Sequence, residues 1–285
     1  MRILITNDDG IHAPGLLALY QALRPLGEVT AIAPERPRSA CGHAITLHKP
    51  LRLRPVEMPD GGAGYASNGT PADCVALGAS EHLGGPPDLV VSGINLGPNL
   101  GVDMTYSGTV AAAMEAAICG IRSFAISVAM GAGFVYPERN RSVKPAAGFT
   151  PALSGAEGNP AANSAIFGPA AEFALYLAQA LLQRAESVVG FLNVNVPAVP
   201  KEQIRGVQIT RQGRIRYSNR IEQRTDPRGG AYYWLTGERV DRSEHAGGDF
   251  DAIEANRISV TPVRLDLTDE RALDALAAWD LRWPG

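Results

Sequence analysis

The chain has few cysteines and no excess of positive charge, and each shortage excludes a class of protein. Among 285 residues there are three cysteines, and no two of them have the C-x-x-C spacing. An odd number of widely spaced cysteines argues against a disulfide scaffold and a zinc site, and it favours a reducing cytoplasm. Lysine and arginine number 26 against 29 aspartate and glutamate residues, a net charge of -3. The sequence therefore has no basic field to hold a nucleic acid or an anionic membrane.

Long apolar runs, phosphate-loop motifs and histidine clusters are also missing. The segment before Asp8 and Asp9 is too short for the apolar region of a signal peptide, and no run of about 18 apolar residues follows it. We therefore expect a soluble, cytoplasmic protein that does not bind a membrane. Neither the G-x-G-x-x-G dinucleotide pattern nor the G-x-x-x-x-G-K-[ST] phosphate loop occurs. With five histidines, a histidine-rich metal site is not supported.

What the sequence does contain is an alternation of short apolar strands and helices. Strands are predicted at 2–6, 28–34, 88–93 and 123–128, and helices at 15–24 and 109–120. Strands rich in Val and Ile that alternate with helices indicate a parallel sheet covered on both faces. We expect the α/β class, with a doubly wound, mostly parallel, Rossmann-like sheet.

Three parts of the chain can be distinguished by composition. Residues 1–130 are predicted to form the Rossmann-like catalytic core. Residues 131–164, dense in Gly, Pro, Ala and Ser and without periodicity, are predicted to form a mobile loop. Residues 165–285 are expected to complete the α/β core, beginning with an amphipathic helix at 170–184 and ending with a helix at 269–279.

A hairpin arm is predicted between those two helices. The segments GVQITRQGRIRY and AYYWLTG have strand composition, and a polar, charged stretch separates them. We expect the two segments to form an extended hairpin.

Two adjacent carboxylates, Asp8 and Asp9, follow the first predicted strand, and Gly10 follows them. In doubly wound sheets, ligands bind beyond the carboxyl ends of the strands. Two carboxylates at that edge make an oxygen site suited to Mg²⁺ or Mn²⁺. The alternative is an ordinary solvated turn, since Asp and Gly are common turn residues.

A second polar stretch precedes the alanine-rich helix. Ser107, Gly108 and Thr109 offer two hydroxyls, close backbone approach and the free N–H groups of a helix start, which together suit a phosphate. An ordinary helix cap is the alternative. Asn95 and Asn99, on the loop that leads in, can ligate a metal, bind a phosphate or brace the loop.

Other polar residues near the predicted edge have plainer interpretations. Thr70 and Asp73 have the spacing of a helix cap with a reciprocal carboxylate, and we favour that structural role over substrate contact. His12 and His43 are interpreted as surface or bracing residues. Ser39 lies in a loop after the second strand and is unremarkable by itself.

Several long motifs occur together and in a fixed order. They are NDDGIHAPG, Ser39 ahead of GHAIT, NGTPADCV and SGINLGPNLGVDMTYSGTVAAAMEA. With these motifs the chain resembles the SurE survival-protein family of metal-dependent 5'/3'-nucleotidases. The likeness is dense over residues 1–128 and resumes in FLNVNVP, QITRQGRIRY and DFDAIEANRISVTP.

The resemblance implies a phosphomonoesterase that hydrolyses nucleoside 5'- and 3'-monophosphates with one Mg²⁺ or Mn²⁺ ion per subunit. It implies metal ligation by Asp8, Asp9, Ser39 and Asn95. The phosphate is then expected on Asn95, Ser107, Gly108 and Thr109, and the catalytic residues are Asp8, Asp9 and Asn95, with Asp9 orienting the attacking water. The resemblance also implies a homodimer or homotetramer in which the C-terminal half, with its hairpin and last helix, exchanges elements between subunits.

Three departures and three alternatives belong with this interpretation. Where the family usually has Gln-Ser-Gly around the serine, this chain has Arg38, Ser39 and Ala40, which adds a cation near the site. The segment 131–164 is longer than we expect for the family, and Asn256 stands where the family usually has Gly; Asn tolerates left-handed backbone best after Gly. One alternative makes Asp8 a covalent phosphoryl acceptor, although no lysine lies in the edge motifs to stabilise it. The others are a broad-specificity metal-dependent phosphatase and a non-catalytic nucleotide-binding protein.

Overall fold

The computed structural model describes residues 1–59, 61–129, 160–184, 190–218, 220–235, 239–243, 247–279 and 281–283. The strands in these ranges are β1 (Arg2–Thr6), β2 (Glu28–Pro34), β3 (Leu53–Glu57), β4 (Ala63–Ser67), β5 (Leu89–Leu96), β6 (Ser123–Ala129), β7 (Phe191–Pro197), β8 (Val207–Ile209), β9 (Arg214–Tyr217), β10 (Ile221–Thr225), β11 (Ala231–Leu235), β12 (Arg239–Ser243) and β13 (Ile258–Val263). The α-helices are α1 (Pro14–Leu23), α2 (Pro71–Gly78), α3 (Gly108–Ile118), α4 (Pro160–Gln183), α5 (Asp249–Glu254) and α6 (Glu270–Ala277).

Nine of the strands form one mostly parallel sheet, in the order β3-β4-β2-β1-β5-β6-β7-β13-β8. The strands from β4 to β7 are parallel to their neighbours, whereas β3 and β13 run antiparallel to β4 and β7. The predicted fold class is therefore confirmed. The chain builds outward from β1 to β2 and β4 and then returns to β5 on the other side of β1, so the strand order reverses beside β1. Ligands bind at such a reversal in open α/β sheets.

The two faces of the sheet pack against different helices, because successive side chains of β1 point to opposite faces. Ile3 and Ile5 face the cluster that contains α1 and α4, whereas Leu4 faces the cluster that contains α2 and α3. Successive side chains of a strand point to opposite faces, so a strand covered on both sides is apolar throughout. Polar residues stand at the carboxyl ends of β1 and β5, where Asp8, Asp9 and Asn95 lie.

Helix α4 is longer than predicted. The sequence predicted a helix at 170–184 and a loop at 131–164, but residues 160–164 are helical, so the loop boundary is wrong at that end; residues 130–159 lie outside the described ranges. Proline suits the first position of a helix, because that position needs no intrahelical N–H bond. Phe167 is buried in the core against α1, and this packing continues the helix through Pro169.

By length and composition alone, Asn163–Gln183 could cross a membrane. Ala170, Ala174 and Ala178 of this helix are buried in the core cluster, spaced four residues apart on one face. The structure therefore uses the segment as a core helix of the sheet layer.

The predicted hairpin arm is present, but its strand pairing differs from the prediction. The AYYWL segment, β11, pairs antiparallel with β10, which lies inside the stretch we interpreted as a charged connection. The RIRY segment, β9, pairs instead with β12. The prediction failed because β10 is exposed along its whole length and so lacks the apolar alternation of a half-buried strand.

The C-terminal elements agree with two details of the sequence. Asp269 caps α6 by accepting a hydrogen bond from the Arg271 N–H, and no residue of α6 is buried in the chain. Asn256 has φ +55°, the left-handed conformation that only Gly adopts without cost. The substitution of Asn for Gly at this turn is therefore compatible with the fold.

Candidate active site

The turn after β1 presents the two adjacent carboxylates. The Asn7 side chain closes the turn, since its Oδ1 accepts from the Gly10 N–H at 3.0 Å and its Nδ2 donates to the Gly10 carbonyl at 3.1 Å. Gly10 has φ +106°, and a Cβ there would lie 3.2 Å from the Pro34 carbonyl oxygen. The turn is thus built by Asn7 and Gly10, and Asp8 and Asp9 remain available for chemistry.

Asp8 is buried at the start of α3. It is 6% exposed, and its Oδ1 accepts a hydrogen bond of 2.5 Å from the Thr109 hydroxyl. Burial raises the pKa of Asp8, while the Thr109 hydroxyl and the Gly108 and Thr109 N–H groups oppose the rise. The first turn of α3 therefore favours the ionised carboxylate that burial disfavours.

Asp9 is more exposed than Asp8 and lies near the end of β5. Burial and the neighbouring charge of Asp8 raise the pKa of Asp9 to about 7, and the Leu96 backbone N–H acts against this rise. Neither carboxylate forms a salt bridge within the described residues. Two carboxylates with perturbed pKa values and no cationic partner are typical of a site that takes a cation from outside the chain.

Ser39 is brought to the same edge by a backbone contact. The Arg38 N–H donates to the Asp8 carbonyl at 2.7 Å, which places the loop after β2 beside the aspartates. Ser39 itself is exposed, and its hydroxyl has no hydrogen bond to any described residue. Ala40 follows with φ +55°, an unfavourable conformation for alanine.

Asn95 lies at the carboxyl end of β5, next to β1. It is 8% exposed, and its Nδ2 donates to the Gly97 carbonyl at 2.8 Å. This bond fixes which end of the amide carries the nitrogen, and the Oδ1 makes no hydrogen bond to the described residues. The next residue, Leu96, directs its N–H at Asp9, so Asn95 and Asp9 share one corner of the edge.

The predicted phosphate site at 107–109 is partly occupied by the protein itself. Ser107 caps α3 by accepting from the Val110 N–H at 3.1 Å, as the structural alternative proposed. Thr109 is fully buried, and its hydroxyl donates to the Asp8 carboxylate. A Cβ on Gly108 would lie 2.9 Å from both the Asp8 Cβ and the Cys41 Sγ, so only glycine fits there. The structure thus places Thr109 as a positioning residue for Asp8.

Asn99 is part of a buried amide network that braces the loop after β5. Its Nδ2 donates to the Ser127 hydroxyl at 2.8 Å, and its backbone N–H donates to the Asn195 Oδ1 at 2.9 Å. Asn193 and Asn195 both donate to the Asn99 carbonyl. The sequence analysis did not assign these two asparagines; the signal was two amides at alternate positions of the apolar strand FLNVNVP, which puts both on one face.

Asp249 is a further buried carboxylate, and it was not among the residues predicted from the sequence. It accepts hydrogen bonds from the N–H groups of Gly101 at 2.8 Å, Gly213 at 3.0 Å and Phe250 at 2.9 Å. It therefore ties the loop after β5 to the start of the hairpin arm. No local pattern marks this role, because its partners lie 148 and 36 residues away along the chain.

The remaining candidates have structural roles or lie on the surface. Thr70 and Asp73 form the predicted reciprocal cap of α2. His43 pairs with Glu115 of α3 at 2.7 Å, which braces the Ser39 loop against that helix. His12 is exposed.

Comparison with known proteins agrees with this arrangement. The family model for "Survival protein SurE" matches residues 3–219. A protein of Heliobacterium modesticaldum named 5'-nucleotidase SurE is 43% identical over 98% of this chain and 92% of its own length. A protein of Geobacter sulfurreducens with the same name is 44% identical over 99% and 94%. The crystal structure of the SurE protein from Aquifex aeolicus superposes with a TM-score of 0.74 at 34% identity, covering 99% of this chain and all of the other.

Proposed function

The chain belongs to the SurE survival-protein family, and from this premise we propose that it hydrolyses nucleoside 5'-monophosphates to nucleoside and phosphate at the edge formed by Asp8, Asp9, Ser39 and Asn95. One observation carries the location. Two adjacent carboxylates, which form no salt bridge with any described residue, lie at the strand-order reversal, below the start of α3. The relatives named 5'-nucleotidase match along nearly the whole chain, which supports the reaction.

Family membership implies metal-dependent catalysis, and the residues present fit a divalent cation. The donors would be the carboxylates of Asp8 and Asp9, the Ser39 hydroxyl and the Asn95 Oδ1. All are oxygen ligands, which favours Mg²⁺ or Mn²⁺ over softer metals. The raised pKa of Asp9 fits a site whose negative charge is completed by a cation. One ion per subunit accounts for this set.

When bound, such an ion polarises the phosphoryl group and lowers the pKa of a bound water. The chain's own residues supply the rest. Thr109 holds Asp8 in one orientation, and the Ser107 hydroxyl keeps its proton available for a phosphate oxygen while it accepts from Val110. Gly108 lets the start of α3 approach Asp8 closely, because a Cβ there would lie 2.9 Å from the Asp8 Cβ. Asp9, the more exposed carboxylate, orients the attacking water.

The covalent alternative is less compatible with the structure. A nucleophilic Asp8 needs a free oxygen aimed at the phosphorus atom, whereas Asp8 is buried and its Oδ1 is bonded to Thr109. Trapping an aspartyl-phosphate at Asp8 would reverse this assignment.

We extend the proposal to 3'-monophosphates, assembly and location. A homodimer or homotetramer is supported by α6, which buries none of its residues, and by exposed rings of the β10–β11 hairpin such as Tyr233 and Trp234. A cytoplasmic location is supported by the three cysteines, all of which are free thiols.

The proposal is tested by comparing Asp9→Asn with Glu202→Gln, a change of an exposed carboxylate in the turn at 201–203. We expect Asp9→Asn to lower phosphate release from AMP by about 100-fold or more, because a neutral amide weakens the metal site. The Glu202→Gln variant should match the wild type. Equal activity of all three proteins would show that the reaction takes place elsewhere.

A further inference from the structure

One aromatic side chain at the site is exposed and forms no side-chain hydrogen bond with the described part of the chain. Tyr106 directly precedes the capping residue Ser107 and is 65% exposed. Its backbone is nevertheless fixed, because its N–H donates to the Asp103 carbonyl at 3.1 Å and its carbonyl accepts from the Gly42 N–H at 2.9 Å. Its hydroxyl has no hydrogen bond to the described residues. Two hydrogen bonds therefore fix the backbone of Tyr106, while most of its ring is exposed on the surface formed by the described residues.

The position of Tyr106 relative to the carboxylates is set by contacts on both sides. Two residues later, Gly108 approaches Asp8 so closely that a Cβ would lie 2.9 Å from the Asp8 Cβ. On the other side, Gly42 belongs to the loop that carries Ser39. Tyr106 thus lies where the two loops of the proposed metal site meet.

The other exposed aromatic residues in the described ranges belong to elements that do not carry the proposed site residues. They are on α4 (Tyr176), on the hairpin arm (Tyr232, Tyr233 and Trp234) and in the C-terminal segment (Trp279 and Trp283). Among the described residues, Tyr106 is therefore the exposed ring closest in sequence and contact to the proposed phosphate site.

A site that binds a nucleoside monophosphate needs an apolar surface for the base, at a distance of one ribose from the phosphate. Phosphate and sugar are polar, whereas every base has a flat π-face that stacks on aromatic side chains without regard to base identity. We propose that Tyr106 is the platform on which the nucleobase of the substrate stacks, and that this contact separates nucleotides from other phosphomonoesters. The inference rests on the proposed nucleotidase function and names its specificity-determining residue.

The test compares AMP with ribose 5-phosphate, which has the same sugar phosphate but no base. Both are assayed with saturating Mn²⁺ for the wild type, Tyr106→Ala, Tyr106→Phe and Tyr106→Trp. Tyr176→Ala is the matched control, since Tyr176 is 63% exposed on α4. We expect Tyr106→Ala to lower kcat/KM for AMP by about 5- to 100-fold, mainly through KM, because the base is remote from the reacting atoms.

The same variant should leave kcat/KM for ribose 5-phosphate unchanged, and Tyr106→Phe and Tyr106→Trp should retain AMP turnover, because both keep a ring. An equal loss on both substrates would overturn the inference and make Tyr106 a support of the loop. Unchanged AMP kinetics in Tyr106→Ala would overturn it too.

Two further results can be distinguished from a failure of the stacking inference. Wild-type protein that cleaves neither substrate would refute the proposed function itself. If Tyr106→Ala fails to fold or assemble, as judged by its melting temperature and elution volume, Tyr106→Phe and Tyr106→Trp serve as the test. Both variants keep a ring, so a rise in KM for AMP in both, with KM for ribose 5-phosphate unchanged, would overturn stacking.

Discussion

The contact between Thr109 and Asp8 leads to the sharpest prediction. The Thr109→Val variant keeps the shape of the side chain and removes the hydroxyl that donates to the Asp8 Oδ1 at 2.5 Å. A hydrogen bond to a buried carboxylate contributes about 1.5–3 kcal/mol. Since Asp8 is a proposed ligand, loss of a bond that orients it should weaken metal affinity by about 10- to 100-fold, which corresponds to about 1.4–2.7 kcal/mol.

The assay separates metal binding from substrate binding. The Mn²⁺ dissociation constant is measured by calorimetry on the protein without substrate, and KM for AMP is measured at saturating Mn²⁺. For Thr109→Val we expect the first to rise and the second to stay near the wild-type value. Thr109→Ser, which keeps the hydroxyl, serves as the control and should bind Mn²⁺ almost as the wild type does.

The opposite pattern would refute this reasoning. If Thr109→Val raised KM for AMP and left the Mn²⁺ affinity unchanged, Thr109 would contact the phosphate directly, as the sequence pattern predicted. The structure gives Thr109 no free hydroxyl for that role, since the residue is fully buried.

Three further predictions concern stability. Asp249→Asn should lower the free energy of unfolding by about 2–3 kcal/mol, measured by urea denaturation, because an amide cannot accept from all three N–H groups that the carboxylate satisfies; an unchanged midpoint would contradict this. Ala40 and Asn256 both have φ +55°, a conformation that costs alanine more than glycine or asparagine. Ala40→Gly should therefore raise the melting temperature and Asn256→Ala should lower it, each by an amount equivalent to about 1 kcal/mol. Shifts of the opposite sign would show that these conformations are not retained. Burial alone would raise the pKa of Asp73, but its hydrogen bonds, first from Thr46 and then from Thr70, outweigh burial and lower the pKa below its ordinary value of 3.8. The ionised Asp73 side chain thus stabilises the fold above that value, and this stabilisation is lost as the pH falls through the folded-state pKa. Asp73→Asn should therefore flatten the acid side of the plot of unfolding free energy against pH. An unchanged acid side would refute the assignment.

The parts of the site that could be predicted from sequence are those that follow from strand ends. Asp8 and Asp9 follow β1 after one intervening residue, Asn7, and Asn95 lies at the end of β5. The carboxyl ends of parallel strands necessarily meet at one edge. The reciprocal cap of Thr70 and Asp73 was also predictable, because it depends on spacing within one helical turn.

The parts that could not be predicted depend on contacts between distant segments. Sequence shows that Thr109 has a hydroxyl at a helix start, but not that Asp8, 101 residues earlier, takes its hydrogen bond. The same holds for Asp249, whose partner Gly101 is 148 residues away. In α4, packing of Phe167 against the core outweighs the helix-breaking tendency of Pro169. Tertiary contacts decided each of these outcomes, and local propensity did not.

The central claim is tested most directly by phosphate release from a panel of nucleoside 5'- and 3'-monophosphates, measured with Mg²⁺, with Mn²⁺ and with a chelator. The account predicts release from 5'-monophosphates in the presence of a divalent ion, its loss with the chelator, and its return when the ion is restored. Release that persists in the chelator, or no release from folded protein with either metal, would contradict it.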